Sequence, residues 1–452
     1  MSRRALALSL GAIAGLVAAA QPLSDTDMWW HLATGRETLA HGIVRTDVFS
    51  WTVRGMPIST DQWFGQVILW LSYLAGGWRG IAVLRVLLVV ALITLVGLGA
   101  ARAATRPLAL VLGIAPALLL TKAVWVDRPL LLGFVLFAAL LLLLRDARQR
   151  ARAWTFIAIP IVIGLWTQVH GSFALGVGLV VIACVEGALS DVTNRRAYIA
   201  CAFASLAITL LNPAGLGVWT APGSHLLSPP RDIQEWNVID VRTPSGVLYV
   251  ATLALVVACA ALGPRLALRE LVILVPVALL SMTAVRQAPL LAIAAAPLIA
   301  QRAEMLLDRI GLARGERSRT LPPFAAATIP LLLVFVALFM TPAAPDEGAY
   351  PVAARASIPL GDATLARYEW GGWLIWSGVP VFVDGRLTPY AGGVIDDYKR
   401  IIAAAPGWQD VIARRGVRML LVVPSDPVAI RAAELGWTVR FNSPDSVVIA
   451  VP

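Results

Sequence analysis

The chain has 452 residues, 58% of them hydrophobic and only 14% charged, with a mean hydropathy of +0.77. This composition excludes an ordinary water-soluble enzyme and reads as a polytopic membrane protein. The net charge of +10 would suit a nucleic-acid binder, but the arginines cluster in short segments between apolar runs, as the positive-inside rule requires, so no nucleic-acid partner is expected.

Apolar runs near the ~20 residues that span a bilayer occur at 5–22, 80–100, 107–124, 129–144, 154–169, 173–189, 198–213, 246–262, 270–285, 287–301 and 322–341. They predict about eleven transmembrane helices. The first run imitates a signal peptide, with Ala-Ala-Ala as a mock cleavage site. It is read as an uncleaved helix, because its loss would break the alternation of charge that follows. With the N-terminus in the cytoplasm, the inner segments carry Arg3, Arg4, Arg102, Arg106, Arg145, Arg148, Arg150, Arg152, Arg195, Arg196, Arg265, Arg269 and five more from Arg302 to Arg319. The short outer loops carry only Lys122, Arg128, Arg231, Arg242 and Arg286. This orientation puts His31, His41, His170, His225 and everything after Met340 outside. Cys184, Cys201 and Cys259 fall in apolar runs, against a disulfide framework or a thiolate metal site.

The first outer loop, 22–79, is polar and rich in tryptophan, and it lies between two apolar runs. It holds Asp25, Asp27, His31, Glu37, His41, Asp47 and Asp61 with Trp29, Trp30, Trp51, Trp63, Trp70 and Trp78. His31 to Ala40 has helical composition and Gly42 stands where a helix stops. Asp61 to Leu74 reads as an amphipathic helix opened by Thr60 or Asp61 and lying on the membrane. Later outer loops add Lys122 to Pro129, Trp166 to Phe173, Asn212 to Pro244 and the turn at Arg286 and Gln287. The chain therefore divides into a membrane part, 1–341, and a tail, 342–452, that reads as a small extracytoplasmic α/β domain. In the tail, PVFVDGR predicts a strand and turn, VIDDYKRIIAAAPGWQDVIARRG one or two helices, VRMLLVVP a strand, SDPVAIRAAELG a helix and the last sixteen residues a hairpin.

The segments DTDMWWHLATGR, WTQVHGSF and RYEWGGWLIW followed by PVFVDGR, set in this architecture, resemble the GT-C superfamily of membrane glycosyltransferases. That group includes protein O-mannosyltransferases, aminoarabinose-to-lipid-A transferases and the catalytic subunits of oligosaccharyltransferases. The resemblance implies a polyprenyl-phosphate-linked sugar as donor. It also implies hexosyl or pentosyl transfer to a glycan, lipid or protein acceptor outside the cytoplasmic (inner) membrane. A catalytic or metal-binding acid early in the first outer loop would fall on Asp25 and Asp27. The aspartate-glutamate pair of the mannosyltransferases is absent, and Tyr368-Glu-Trp-Gly-Gly372 only distantly echoes the WWDYG motif of the oligosaccharyltransferases. Both departures argue against protein glycosylation of either type.

Such a transfer needs a carboxylate to take the acceptor proton and positive charge to hold the leaving phosphate. Asp25 or Asp27 would be the base, or both would hold a divalent ion, Mg or Mn, through hard oxygen ligands; alternatively one of them caps the helix that follows. His31 falls on the same helical face as Asp27, four residues on. It would orient the base, bind a metal ion with Asp27, bind substrate or serve as an interfacial histidine. Trp30 and Asp61 join the substrate-binding candidates of this loop. His170 would bind substrate or close a helix end. Arg128, Arg231 and Arg286 are candidates for the phosphate, because a guanidinium grips it through two N–H donors. Arg286 leads, since it stands without a neighbouring acid in an apolar turn; Arg128 has a salt bridge to Asp127 as its alternative. Asp384-Gly385-Arg386 reads most simply as a turn after a strand; alternatively it would face the active loop and help close over the acceptor. Two other functions fit the topology: a transporter or flippase for a lipid-linked sugar, which needs charges deep in the spans, and a non-catalytic scaffold for envelope assembly.

Overall fold

A computed structural model describes residues 2–220, 222–223, 234–311, 323–359, 361–386, 388–390 and 392–452. By contacts the chain forms two units: residues 1–21 with 79–342, and residues 22–78 with 343–452. The sequence reading left 22–79 as a loop of the membrane part. In the structure this segment clusters with the tail.

The first unit is helical. Its helices are α1 (Arg3–Ala19), the second half of α3 (Trp63–Ala101), α4 (Pro107–Thr121), α5 (Leu130–Arg150), α6 (Ala153–Val169), α7 (Phe173–Ser190), α8 (Arg195–Ala207), α9 (Pro244–Ala261), α10 (Leu268–Ser281), α11 (Ala288–Arg309) and α12 (Pro323–Met340). A helix thus stands at each apolar run. Among the described residues six helical segments are long and apolar enough to cross a membrane: Trp63–Ala101, Pro107–Val124, Leu130–Arg150, Phe173–Ser190, Pro244–Ala261 and Val285–Arg309. The others are shorter or less apolar.

Small residues set the packing, as expected where lipid tails remove the hydrophobic drive between helices. Gly11 and Gly15 let α1 approach α3 closely. A Cβ on Gly11 would meet Thr94 Oγ1 at 2.3 Å, and one on Gly15 would meet Val90 Cγ2 at 2.5 Å. Gly113 of α4 does the same against Ala300 of α11, at 2.6 Å. Helices α4, α6, α10, α11 and α12 keep an internal proline, which neighbouring helices tolerate in a membrane bundle. Ionic groups pair. Arg102 meets Asp146 at 3.1 Å, Arg106 meets Asp308 at 2.7 Å, and Arg148 pairs with Glu186. Arg85, on α3, meets Asp127 at 2.7 Å with both side chains 2% exposed. Its other amino group donates to Gln21 O at 2.6 Å.

The second unit begins with α2 (Met28–His41), which stops at Gly42 with φ 94°, a conformation that favours glycine. The first half of α3 follows. It starts at Trp63, and the Gly76-Gly77 pair breaks the helix (φ −155° and 59°). These two glycines separate the amphipathic helix from the apolar span that follows. The tail adds α13 (Tyr368–Trp376), α14 (Val394–Ile402), α15 (Trp408–Arg415) and α16 (Pro427–Glu434). Four strands form one sheet: β1 (Thr364–Ala366), β2 (Met419–Val422), β3 (Thr438–Asn442) and β4 (Val447–Ala450), in the order β1-β2-β4-β3. β1 and β2 are parallel, with Leu365 opposite Leu420, while β4 is antiparallel to both its neighbours. The expected strand at PVFVDGR is reduced to isolated bridges from Val381 to Ser50 and Thr364. Val53 is buried with Leu365, Phe382, Tyr390, Leu420 and Ile449, so residues 22–78 and the tail share a core. A second, aromatic contact joins Trp29 edge-on to Trp78 and Tyr350, and Trp78 to Trp376. Several loop tryptophans are therefore packing residues of this unit.

Candidate functional site

Within the second unit, three quoted segments meet at Asp27. Asp27 opens α2 without a side-chain cap. Its Oδ1 accepts a hydrogen bond from Trp30 Nε1 at 3.0 Å, one turn along the same helix. Gly385, in the Asp384-Gly385-Arg386 turn, lies directly against this carboxylate: a Cβ there would stand 2.3 Å from Asp27 Oδ1. Gly372 of α13 lies against the Thr26 backbone, where a Cβ would be 2.7 Å from Thr26 O. Gly371 abuts Val383 and Asp384, with 2.6 Å to Val383 O. Close approach to backbone requires glycine at 371 and 372, whereas a Cβ at 385 would have to push the Asp27 side chain aside. The acidic motif, the Gly-Gly pair and the Asp-Gly-Arg turn thus interlock through bare backbone.

Asp25 has a different task. Its Oδ1 accepts the Asp27 backbone N–H at 2.9 Å, an Asx turn that sets the start of α2. His31 is 2% exposed. Its Nδ1 lies 3.3 Å from Gln66 Nε2, and its ring lies on Trp30 with centroids 3.5 Å apart. Gly35 allows this, because a Cβ there would collide with Gln66 O at 2.2 Å. Asp61 is buried at the foot of α3 and accepts Ser59 Oγ–H at 2.6 Å.

The Asp-Gly-Arg turn is held by a buried ionic network. Asp384 Oδ1 accepts Arg386 Nε at 2.8 Å, and its Oδ2 accepts Arg386 Nη2 and Tyr390 Oη, each at 2.5 Å. Arg386 Nη1 meets Asp47 Oδ2 at 2.6 Å, and Asp47 Oδ1 accepts Ser50 N and Oγ at 2.8 Å. Burial opposes the guanidinium charge, but Asp384 and Asp47 hold it well above its ordinary range. Burial first, then the Asp384 charge, pushes the Tyr390 phenol well up. The sequence offers Asp47 only as one of the first-loop acids and Asp384-Gly385-Arg386 only as a turn, and it does not single out Tyr390. Only the charged Asp-Gly-Arg turn among apolar residues gave a signal.

The first unit carries a second cluster. Arg128 Nη2 stands 2.5 Å from Glu235 Oε2, and Arg286 Nη1 stands 2.7 Å from Glu235 Oε1. Arg286 also lies over the Trp236 ring, 4.6 Å from its centroid. The expectation that Arg286 lacks an acidic neighbour is thus corrected: Glu235, distant in sequence, reaches it. Arg128 thus pairs with Glu235, and Asp127 with Arg85. Burial works against the Glu235 charge, but Arg286 and Arg128 outweigh it and hold the carboxyl below its usual range. His170 follows α6 directly, and its Nδ1 lies 2.8 Å from Ser172 Oγ, which accepts Trp166 Nε1–H at 3.0 Å. Arg231 and His225 lie outside the described residues.

A divalent ion would use Asp25 and Asp27. Among the described residues no group of three or more His, Cys, Asp or Glu stands together. The pair would therefore hold an ion only with water or substrate oxygens filling its shell.

No protein-family model matches the sequence, and no curated protein matches it. Solved structures do. The oligosaccharyltransferase of Archaeoglobus fulgidus, tethered to an acceptor peptide containing the NVT sequon, superposes with a TM-score of 0.60 at 11% identity, over 92% of this chain and 68% of that one. The archaeal oligosaccharyltransferase AglB from Archaeoglobus fulgidus, in complex with an inhibitory peptide and a dolichol-phosphate, also gives 0.60, at 10% identity over 92% and 69%. The arabinofuranosyltransferase AftD from Mycobacteria gives 0.54 at 17% identity, over all of this chain and 42% of that one. ArnT from Cupriavidus metallidurans in the apo state gives 0.55 at 12% identity, over 98% and 97%. These superpositions, each spanning over nine-tenths of the chain, show that it has the fold of the GT-C membrane glycosyltransferases.

Proposed function

We propose that the chain is a glycosyltransferase of the cytoplasmic (inner) membrane. It moves a sugar from a polyprenyl-phosphate donor to an acceptor on the outer side, where residues 22–78 and the tail lie. The observation that carries this reading is the placement of Asp27. It stands half-buried at the head of α2, and Trp30 and Gly385 constrain its carboxylate. A constrained carboxylate suits a general base. In the proposed reaction the acceptor oxygen attacks the anomeric carbon and gives its proton to Asp27. The bond from that carbon to phosphate breaks, and the phosphate leaves with the electron pair. Within the first unit, taken by itself, Arg128 and Arg286 converge on one oxyanion position, an arrangement that suits a lipid phosphate. AglB has been solved with a dolichol-phosphate, which supports a lipid phosphate as the ligand class.

Asparagine substitutions separate the two acids. Asn at position 25 retains an acceptor oxygen for the Asp27 N–H, whereas Asn at position 27 loses the base. Polyprenyl-phosphate release from a panel of lipid-linked sugars should persist in Asp25→Asn and disappear in Asp27→Asn. Full release by Asp27→Asn would refute the proposed site.

A further inference from the structure

Arg128 and Arg286 come from different turns of the first unit, one before α5 and one before α11, yet both reach the same side chain. Each guanidinium takes one oxygen of the Glu235 carboxylate, at 2.5 and 2.7 Å. The arginine side chains are 15% exposed and Glu235 is 27% exposed. The ring of Trp236, the next residue, covers Arg286. Two arginines around one oxyanion form a site of the kind that binds a phosphoryl group. Here the chain's own carboxylate occupies it.

We propose that Glu235 is the specificity-determining residue of this anion site: its tethered carboxylate occupies the Arg128–Arg286 pair and yields to a lipid phosphate but not to a lipid carboxylate. The inference rests on the reading that these arginines hold phosphate. The physical reason is competition by a tethered group. A side chain on the same backbone acts at a high effective concentration. A free carboxylate offers the arginines nothing that Glu235 does not already supply, so it loses. A phosphate monoester brings more charge and a third oxygen, so it displaces Glu235. The apparent dissociation constant is the intrinsic one divided by the fraction of time the site stands open. A site open about one-tenth of the time would bind roughly tenfold more weakly than its neutralised variant. The two arginines keep Glu235 ionised at neutral pH, so the incoming anion rather than a proton must release it. Once displaced, the carboxylate stays on the chain and competes for the arginines again as the spent phosphate leaves.

The test uses the full chain purified in detergent, with binding followed by native mass spectrometry. The probes are farnesyl monophosphate, inorganic phosphate, palmitate and uncharged farnesol. Wild type should bind farnesyl monophosphate and neither palmitate nor farnesol. Glu235→Gln should bind farnesyl monophosphate about tenfold more tightly and should gain palmitate. Glu235→Ala should behave the same way, which guards against a residual amide contact. Arg286→Ala should lose farnesyl monophosphate whichever residue stands at 235. Unchanged or weaker binding in both Glu235 variants, with the Arg286→Ala loss intact, would overturn the competitor role and leave the phosphate site standing. Farnesyl monophosphate binding that Arg286→Ala leaves untouched would overturn the phosphate reading itself. Inorganic phosphate bound as well as farnesyl monophosphate would overturn the lipid as its source.

Discussion

Gly385 offers the sharpest probe of the Asp27 site. A methyl group at Gly385 would lie 2.3 Å from Asp27 Oδ1, 3.5 Å from Asp27 Cγ and 3.7 Å from Trp30 Nε1. The backbone at Gly385 is not in the left-handed region, so Gly385→Ala acts through this contact and not through φ. An oxygen about 1 Å inside contact distance must move, and Asp27 can yield only by leaving its rotamer and its Trp30 bond. An off-rotamer torsion costs about 0.5–1.5 kcal/mol, and a lost hydrogen bond to a charged group about 1.5–3 kcal/mol. Gly385→Ala should therefore destabilise the protein by about 2–4 kcal/mol. A base displaced by ~1 Å loses on the order of 100-fold in rate. The assay is thermal unfolding in detergent, arranged as a double-mutant cycle with Asp27→Ala. In that background both close atoms are gone, and Gly385→Ala should be neutral or stabilise by about 0.4–1 kcal/mol through the unfolded chain. Equal destabilisation in both backgrounds would refute the contact. Wild-type transfer by Gly385→Ala would refute its bearing on the base.

Three further outcomes follow from the same geometry. Arg386→Met should cost about 3–5 kcal/mol, because Asp47 and Asp384 would lose a buried cation they share; unfolding in denaturant reads this, and a loss below 1 kcal/mol would contradict the network. Glu235 has a folded-state pKa below the 4.5 of an unperturbed glutamate, so its ion pairs contribute stability that is complete above that value and fades as pH falls through the folded one. Thermal stability of wild type should drop on that acid limb and Glu235→Gln should lack that part of the drop; parallel curves would contradict the pairing. Stripping divalent ions with a chelator should leave transfer intact if Asp27 is the base. A loss restored by Mg²⁺ or Mn²⁺ would make Asp25 and Asp27 ligands instead.

The helices were legible because a membrane leaves few options: each apolar run became a helix, and Gly42 ended α2 as its type suggests. The hairpin of β3 and β4 and the pair α14–α15 also followed from local pattern. What local pattern lacks is long-range pairing. PVFVDGR has the residues of a strand, but Val381 finds only bridges to Ser50 and Thr364. Arg286 looked solitary because Glu235 is 51 positions away. Asp47 looked like a loop residue because its partner Arg386 comes hundreds of residues later. Asp27 was visible by its place after the first apolar run, whereas its contact with Gly385 depends on a glycine whose neighbour no sequence window contains.

The discontinuity of the second unit has a consequence for how the protein is made. Residues 22–78 are synthesised early, but the segment that completes their core begins at 343. At roughly 5–20 residues per second the ribosome needs on the order of 10–50 s to cover that interval. Throughout it, Val53, Trp29 and the carboxylate of Asp47 wait without the tail groups that bury and neutralise them. The shared core of this unit therefore cannot close until the intervening helices have been translated. A chain that stopped within α12 would keep its apolar helices and lose every tail partner of the Asp27 segment, so such truncations should be removed by proteolysis at 22–78 first.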